Sequence, residues 1–194
     1  MIGRGLFLDR RGGALVEFAM VLPIMLTLGM GMMELAYQAY IQAVLTGAVQ
    51  KAGRDSTIEN ANTTTIDAGV LQAVRNLNGN AAFVSGYPTR KSYASYGAIT
   101  PESFTDANGN GQYDSGECFT DTNGNATWDA DPGLTGGGNA DDTVVYTVKI
   151  TYPRLFPVTQ WIGWGRSVTL TAVTALKNQP WSGQTTYAAA TICG

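Results

Sequence analysis

An α+β fold, with one long N-terminal helix leading into a small head, is predicted by three features of the chain. These are an apolar run from Ala14 to Ala36, a helical spacing of small and apolar residues that continues beyond it, and two late β-branched segments that alternate. Helices precede strands, the order of an α+β head rather than of repeated βαβ units. With 194 residues, the chain has room for about one ordinary domain once a membrane segment is set aside. Only 14% of residues are charged against 44% hydrophobic, and 24 glycines supply many turns, which fits a loop-rich exported domain. The chain has no histidine. Ser-His-Asp and Cys-His nucleophile systems and His-containing zinc sites are thereby excluded.

The first element begins after a basic stub, Arg4, Arg10 and Arg11, and the pair Gly12-Gly13. As a helix, the 23 residues from Ala14 to Ala36 would extend about 34 Å, close to the roughly 30 Å of a hydrocarbon core. Arginines on the N-terminal side predict a cytoplasmic N-terminus and an exported remainder. No small-residue cleavage site closes the apolar run, unlike an ordinary secretory signal. Leu35, Ala36, Ala39, Tyr40, Ala43, Val44 and Ala48 carry the helical spacing onward, and Gly53 with Asp55 and Ser56 supplies a stop. The helix is expected over 13–53, bent near Pro23 or the Gly29 and Gly31 pair, and the head over 54–194.

Ile66, Val70, Val74 and Leu77 place a second helix at about 65–77, ended by Asn78-Gly79-Asn80, with a short strand at 81–85. The segments 143–152 and 168–176 are expected to pair as antiparallel strands. Their connection carries Phe156, Trp161, Ile162 and Trp164, which would cover a sheet edge or touch a membrane surface.

Between Lys91 and Lys149 there is no basic residue, while nine acids fall there, from Glu102 to Asp142. Such a block repels phosphate backbones, so nucleic acid is not an expected partner. It also contains a duplication at an offset of fifteen residues: FTDANGNGQYDSGE beside FTDTNGNATWDADP. The first copy fits the loop pattern D-x-[DN]-x-[DN]-G-x5-E, in which alternating oxygen side chains and a final glutamate wrap a Ca2+ ion. Its expected ligands are Asp106, Asn108, Asn110, the Gln112 carbonyl, Asp114 and Glu117. In the second copy Ala126 replaces the turn glycine and Pro132 the final glutamate. Asp121, Asn123, Asn125, the Thr127 carbonyl and Asp129 would bind there more weakly, with Asp131 as a substitute closing carboxylate. No amphipathic helix flanks either loop, so a structural rather than a sensing role is expected for Ca2+ in the 102–142 segment. Solvated Asx-rich turns without metal are the alternative. Cys118 and Cys193 would form one disulfide in an exported head, or else stay as two thiols.

Gly12-Gly13 preceded by arginines, with Glu17 and Phe18 a few residues on, resembles the cleavage region of type IV-like prepilins. The likeness is particularly to the TadE-like group of the tight-adherence (Tad/Flp, type IVc-like) pilus system. The stretch from Tyr152 through the Thr-rich 168–176 to Trp181 resembles the end of TadE-like domains. The likeness covers about 10–55 and 143–181; the 102–142 segment departs from it as an insertion.

The resemblance implies that a prepilin peptidase removes a leader, 1–12, on the cytoplasmic side. Gly13 then becomes the new N-terminus and Glu17 the fifth residue; a cut after Gly13 would make it the fourth. Glu17 would pair with the new α-amino group of a neighbouring helix, fixing register, or else reach toward the inner headgroups. The expected function is structural and not enzymatic. It is that of a minor pilin or pseudopilin that joins other pilin subunits through its N-terminal helix and presents a head for attachment. The subunit would sit in the bacterial inner membrane with a periplasmic head before assembly, and in an extracellular pilus after it. The alternatives are a membrane-anchored, calcium-stabilised binding protein that never enters a filament, and a carboxylate hydrolase built on Asp141, Asp142 or the insertion acids.

Overall fold

The computed structural model describes residues 12–58, 60–156, 160, 163, 165–180 and 189–193. The basic stub and the body of the leader, together with Trp161, Ile162, Trp164 and Trp181, lie outside the described residues. The architecture is α+β, as expected.

Helix α1 is continuous over Gly13–Ser56, through Pro23. It passes the expected stop at Gly53 because that glycine answers to packing, not to termination. A Cβ there would lie 2.2 Å from Leu176 Cδ1 and 2.8 Å from Thr174 Cγ2, so the missing side chain admits the strand that carries them. Helix α2, Thr63–Arg75, starts two residues before the expected point because the side chain of Asn62 accepts a hydrogen bond from the Thr65 amide at 3.0 Å and so caps it. Val70 and Val74 form its buried face.

Seven strands follow: β1 Ala82–Phe83, β2 Thr89–Tyr93, β3 Phe119–Asp121, β4 Leu134–Thr135, β5 Thr143–Pro153, β6 Ser167–Lys177 and β7 Ala190–Ile192. β5 organises the main sheet. β2 pairs antiparallel with its first half, Thr89 opposite Thr147, and β1 with its second, Ala82 opposite Thr151. β4 adds to β2, and β6 pairs with β5, as the alternation of both segments predicts. β3 and β7 form a separate antiparallel ladder. β2, β3, β4 and β7 were not expected.

The chain divides into two compact units, Met1–Ile41 with Pro153–Val168, and Gln42–Tyr152 with Thr169–Gly194. In the second unit Leu45, Val49 and Ala52 of α1, Val70 and Val74 of α2, and Val144, Tyr146, Val148 and Ile150 of β5 are buried. The three- and four-residue spacing of the helices and the two-residue spacing of the strand are the periods that give each element one apolar face. A polar brace ties α2 to the sheet. Arg90 makes a bidentate pair with Asp67 at 2.6 and 3.1 Å, and the Tyr146 hydroxyl donates to Asp67 at 2.6 Å. Burial and the Asp67 carboxylate push the Tyr146 hydroxyl pKa well above its ordinary value.

Candidate functional site

The two copies of the acidic duplication fold as a reciprocal pair. Phe104 and Phe119 meet in an antiparallel bridge; the Thr105 amide donates to Cys118 O and the Thr120 amide to Ser103 O, each at 2.8 Å. Shifting the residue numbers of either bond by fifteen gives the other.

Within the first loop, Asp106 accepts from the amides of Gly109, Asn110 and Gly111 at 2.6, 3.2 and 2.7 Å. Asp121 accepts from Asn123, Gly124 and Ala126 at 3.2, 2.7 and 2.8 Å. The carboxamide oxygens of Asn108 and Asn110 take the amides of Asn110 and Gln112, while both carboxamide nitrogens donate to Asp114 at 2.7 Å. Asn123 and Asn125 repeat this with Asn125, Thr127 and Asp129. Gly111 at the turn has φ +75°; its counterpart Ala126 is held at φ +61°, a region in which a Cβ is unfavourable.

Closure of the loops departs from expectation. Glu117 closes the first, accepting from the amides of Ala107 at 2.8 Å and Asp114 at 3.0 Å. The second is closed by Glu102, which accepts from the Thr122 amide at 2.7 Å, the Thr122 hydroxyl at 2.9 Å and the Asp129 amide at 3.0 Å. Asp131 is engaged elsewhere, with Lys91, the Tyr93 hydroxyl at 2.8 Å and the Gly133 amide. Glu102 stands fifteen residues before Glu117, so the same offset that reveals the duplication points to it. Reading the repeat forward from Phe104 leaves it out.

The aromatic residues follow the same symmetry. Tyr113 and its counterpart Trp128 stack at 4.9 Å between centroids, with Phe104 edge-on to both. This small cluster is the apolar content of the segment. Cys118 and Cys193 are bonded, as expected for an exported head, and the disulfide ties β3 to β7 beside Phe119 and Ile192.

The electrostatics follow from the donors. Asp106 is held below the ordinary carboxylate range, chiefly by the Gly111 amide and then by those of Gly109, Asn110 and Asn108, against a small opposing desolvation. For Asp121, burial pushes the pKa up, but amides of Ala126, Gly124, Asn123 and Asn125 outweigh it and the net direction is down. For Asp131 burial likewise raises, and Lys91, Tyr93 and Gly133 together lower by more.

The donor set is made of oxygens and carboxamides, the chemistry of a hard cation such as Ca2+. Each loop converges two aspartates and two asparagines, all satisfied by N–H donors of the chain. Among the described residues no group of three or more His, Cys, Asp or Glu side chains is gathered as a metal cage. A bound cation requires Asn108 and Asn110 to turn their oxygens inward toward Asp106 and Asp114.

At the N-terminus, Gly12 and Gly13 open α1, and Glu17 and Phe18 are exposed on it. So are Leu15, Val16, Met20, Val21, Ile24, Met25, Leu26 and Leu28. The helix is long and apolar enough to cross a membrane. One charged side chain in this run went unremarked in the sequence: Glu34, fully buried. It accepts from the amides of Leu155 at 3.0 Å and Phe156 at 3.3 Å, and its Oε1 lies 3.5 Å from Arg154 Nη1.

Residues 12–54 match the family model described as TadE-like protein. The N-terminal helix is TadE-like. No curated protein and no solved structure matches the chain. The TadE-like match takes in Gly12, Gly13, Glu17, Phe18 and Glu34 and ends within the last turn of α1. It does not extend to 143–181, where a second stretch of likeness was expected, nor to the paired loops. A TadE-like helix of this length and apolarity fits attachment to a membrane, in the context of a pilus-related family.

Proposed function

We propose that the protein is a structural subunit, a TadE-like minor pilin or pseudopilin of a tight-adherence pilus, without enzymatic activity. The observation that carries this reading is the coincidence of the TadE-like match with a helix whose apolar side chains from Leu15 to Met33 are exposed. Exposed apolar area of this kind needs either lipid or neighbouring helices around it. A subunit stored in the inner membrane and then assembled would meet both in turn. Prepilin peptidase cuts after Gly12, Gly13 becomes the N-terminus, and Glu17 pairs with the α-amino group of an adjoining pilin. The head lies in the periplasm before assembly and outside the cell after it.

Ca2+ stabilises the head through the paired loops. Asp106, Asn108, Asn110, Asp114, the Gln112 carbonyl and Glu117 hold the first ion. Asp121, Asn123, Asn125, Asp129, the Thr127 carbonyl and Glu102 hold a second, weaker one. The segment is rich in glycine and short polar side chains, so a bound ion offsets ordering entropy that its small aromatic cluster covers only in part.

N-terminal sequencing of the protein recovered from sheared surface filaments tests the assignment. A chain beginning at Gly13 is the expected result. Protein that retains Met1 and never accompanies filaments would instead be a permanent membrane anchor, and the pilin assignment would be lost.

A further inference from the structure

Glu34 is an anomaly on its own helix. Met32, Met33 and Leu35 around it are 70%, 60% and 52% exposed, while Glu34 is 0% exposed. A single polar side chain is therefore covered while its apolar neighbours are bare. The cover is the short turn after β5. Leu155 and Phe156 direct their amides at one carboxylate oxygen, and the Arg154 guanidinium faces the other at 3.5 Å. The turn is itself held, because the Arg154 amide donates to Arg166 O at 3.0 Å and Arg154 Nε donates to Gly165 O at 2.8 Å. Backbone amides and a guanidinium are expensive to place in hydrocarbon, so this turn cannot follow the helix into the lipid.

Its position along α1 matches that limit. From Gly13 to Met33 the helix rises about 31 Å, the thickness of a hydrocarbon core of roughly 30 Å. Beyond Glu34 come Tyr37 and Tyr40, the residue type that settles at the headgroup level, followed by Gln42. The covering turn is two-sided, with Leu155 47% exposed next to the charge of Arg154.

We infer that the Glu34 lock is seated in the outer headgroup layer and stops α1 from sliding further into the bilayer, so that the partner of residues 34–40 and 154–156 is a lipid surface. The inference rests on the membrane-anchored reading above and adds the depth and the device that sets it. Glu34 acts as a positioning residue by holding residues 154–156 on the helix.

The test uses the full chain in phosphatidylcholine and phosphatidylglycerol vesicles. Single nitroxide labels are placed by V21C, L155C and Q50C, the native cysteines being tied in their disulfide. Collision rates with oxygen and with a water-soluble nickel chelate report depth. The label at 21 should read hydrocarbon, that at 50 water, and that at 155 the headgroup layer between them. A label at 155 that reads the same as either reference overturns the inference, whereas a label at 21 that reads water overturns the membrane reading itself. E34Q, which keeps the side-chain volume, should raise nickel accessibility at 155 several-fold and leave position 50 unchanged. An unchanged value at 155 would show that Glu34 does not set the depth.

Discussion

Glu102 and Glu117 each lead into one copy of a duplicated loop and close the other copy. Their carboxylates make matching sets of bonds, to the amides of Thr122 and Asp129 in one case and of Ala107 and Asp114 in the other. Both are buried. The acidic insertion is therefore one cooperative body, not two independent turns.

Removing either charge should loosen both loops. Glu102→Gln and Glu117→Gln are each expected to cost about 2 kcal/mol, since each leaves buried amides with a weaker acceptor. Urea unfolding measures this. The double variant should cost less than the sum of the single ones, because the sites share one unit. Strict additivity would mean that the copies fold separately.

Calcium binding is tested by calorimetric titration of the full chain in detergent. Heat of binding is expected below millimolar Ca2+, with a gain of roughly 1.4 kcal/mol per site at tenfold excess over the dissociation constant. Glu102→Gln should weaken the second site more than Asp131→Asn does. No heat up to several millimolar would remove calcium from the account.

Acid should act on the same segment. Asp106, Asp121 and Asp131 all have folded pKa values below the ordinary carboxylate value. Each therefore contributes stability that is present above about pH 4, the unfolded value, and lost as the pH falls through the folded one. Tyr93 works at the other end. Burial, with the Asp131 hydrogen bond and charge, pushes it up to about 12, so its contribution is full below about 10 and lost as the pH rises through 12. Midpoints of unfolding across these ranges give the test, and a flat profile from pH 6 to 2 would contradict the first part.

Two glycines of α1 should respond oppositely to alanine. At Gly53 the new Cβ meets Leu176, and about 1–3 kcal/mol of destabilisation is expected from overpacking. At Gly47 nothing lies within 4 Å, so alanine should be neutral or stabilise by up to about 1 kcal/mol through helix propensity. Thermal unfolding of the two variants distinguishes close approach from simple helix tolerance.

Glu17 is exposed on the apolar helix and bears on assembly. Glu17→Ala should leave membrane insertion intact and abolish co-purification with other pilins. Unchanged co-purification would count against pairing with a neighbour's N-terminus.

The parts legible in the sequence are those with a clear period. The helical spacing from Leu35 to Ala48 and the alternation of 143–152 and 168–176 give α1, β5 and β6, because each buries one continuous face. β2, with Thr89, Arg90, Lys91 and Ser92, has no apolar alternation. It is a strand because β5 and β4 supply partners on both sides. β3 and β7 are three-residue strands placed by the Cys118–Cys193 bond, a long-range cause that local pattern does not carry. The loop ligands were legible from spacing, but Glu102 was not, since it reaches across to the other copy. Glu34 was hidden among methionines, although a carboxylate in such a run is itself the signal for a covering partner.

The crossed glutamates carry a consequence for how such a segment can be inherited or engineered. A lone copy would lack its own clasp, so trimming the insertion by half leaves an open coil, not a smaller working module. The minimum transferable cassette is the whole couple, and grafting it onto another scaffold means moving the stretch from Glu102 through Asp129 intact.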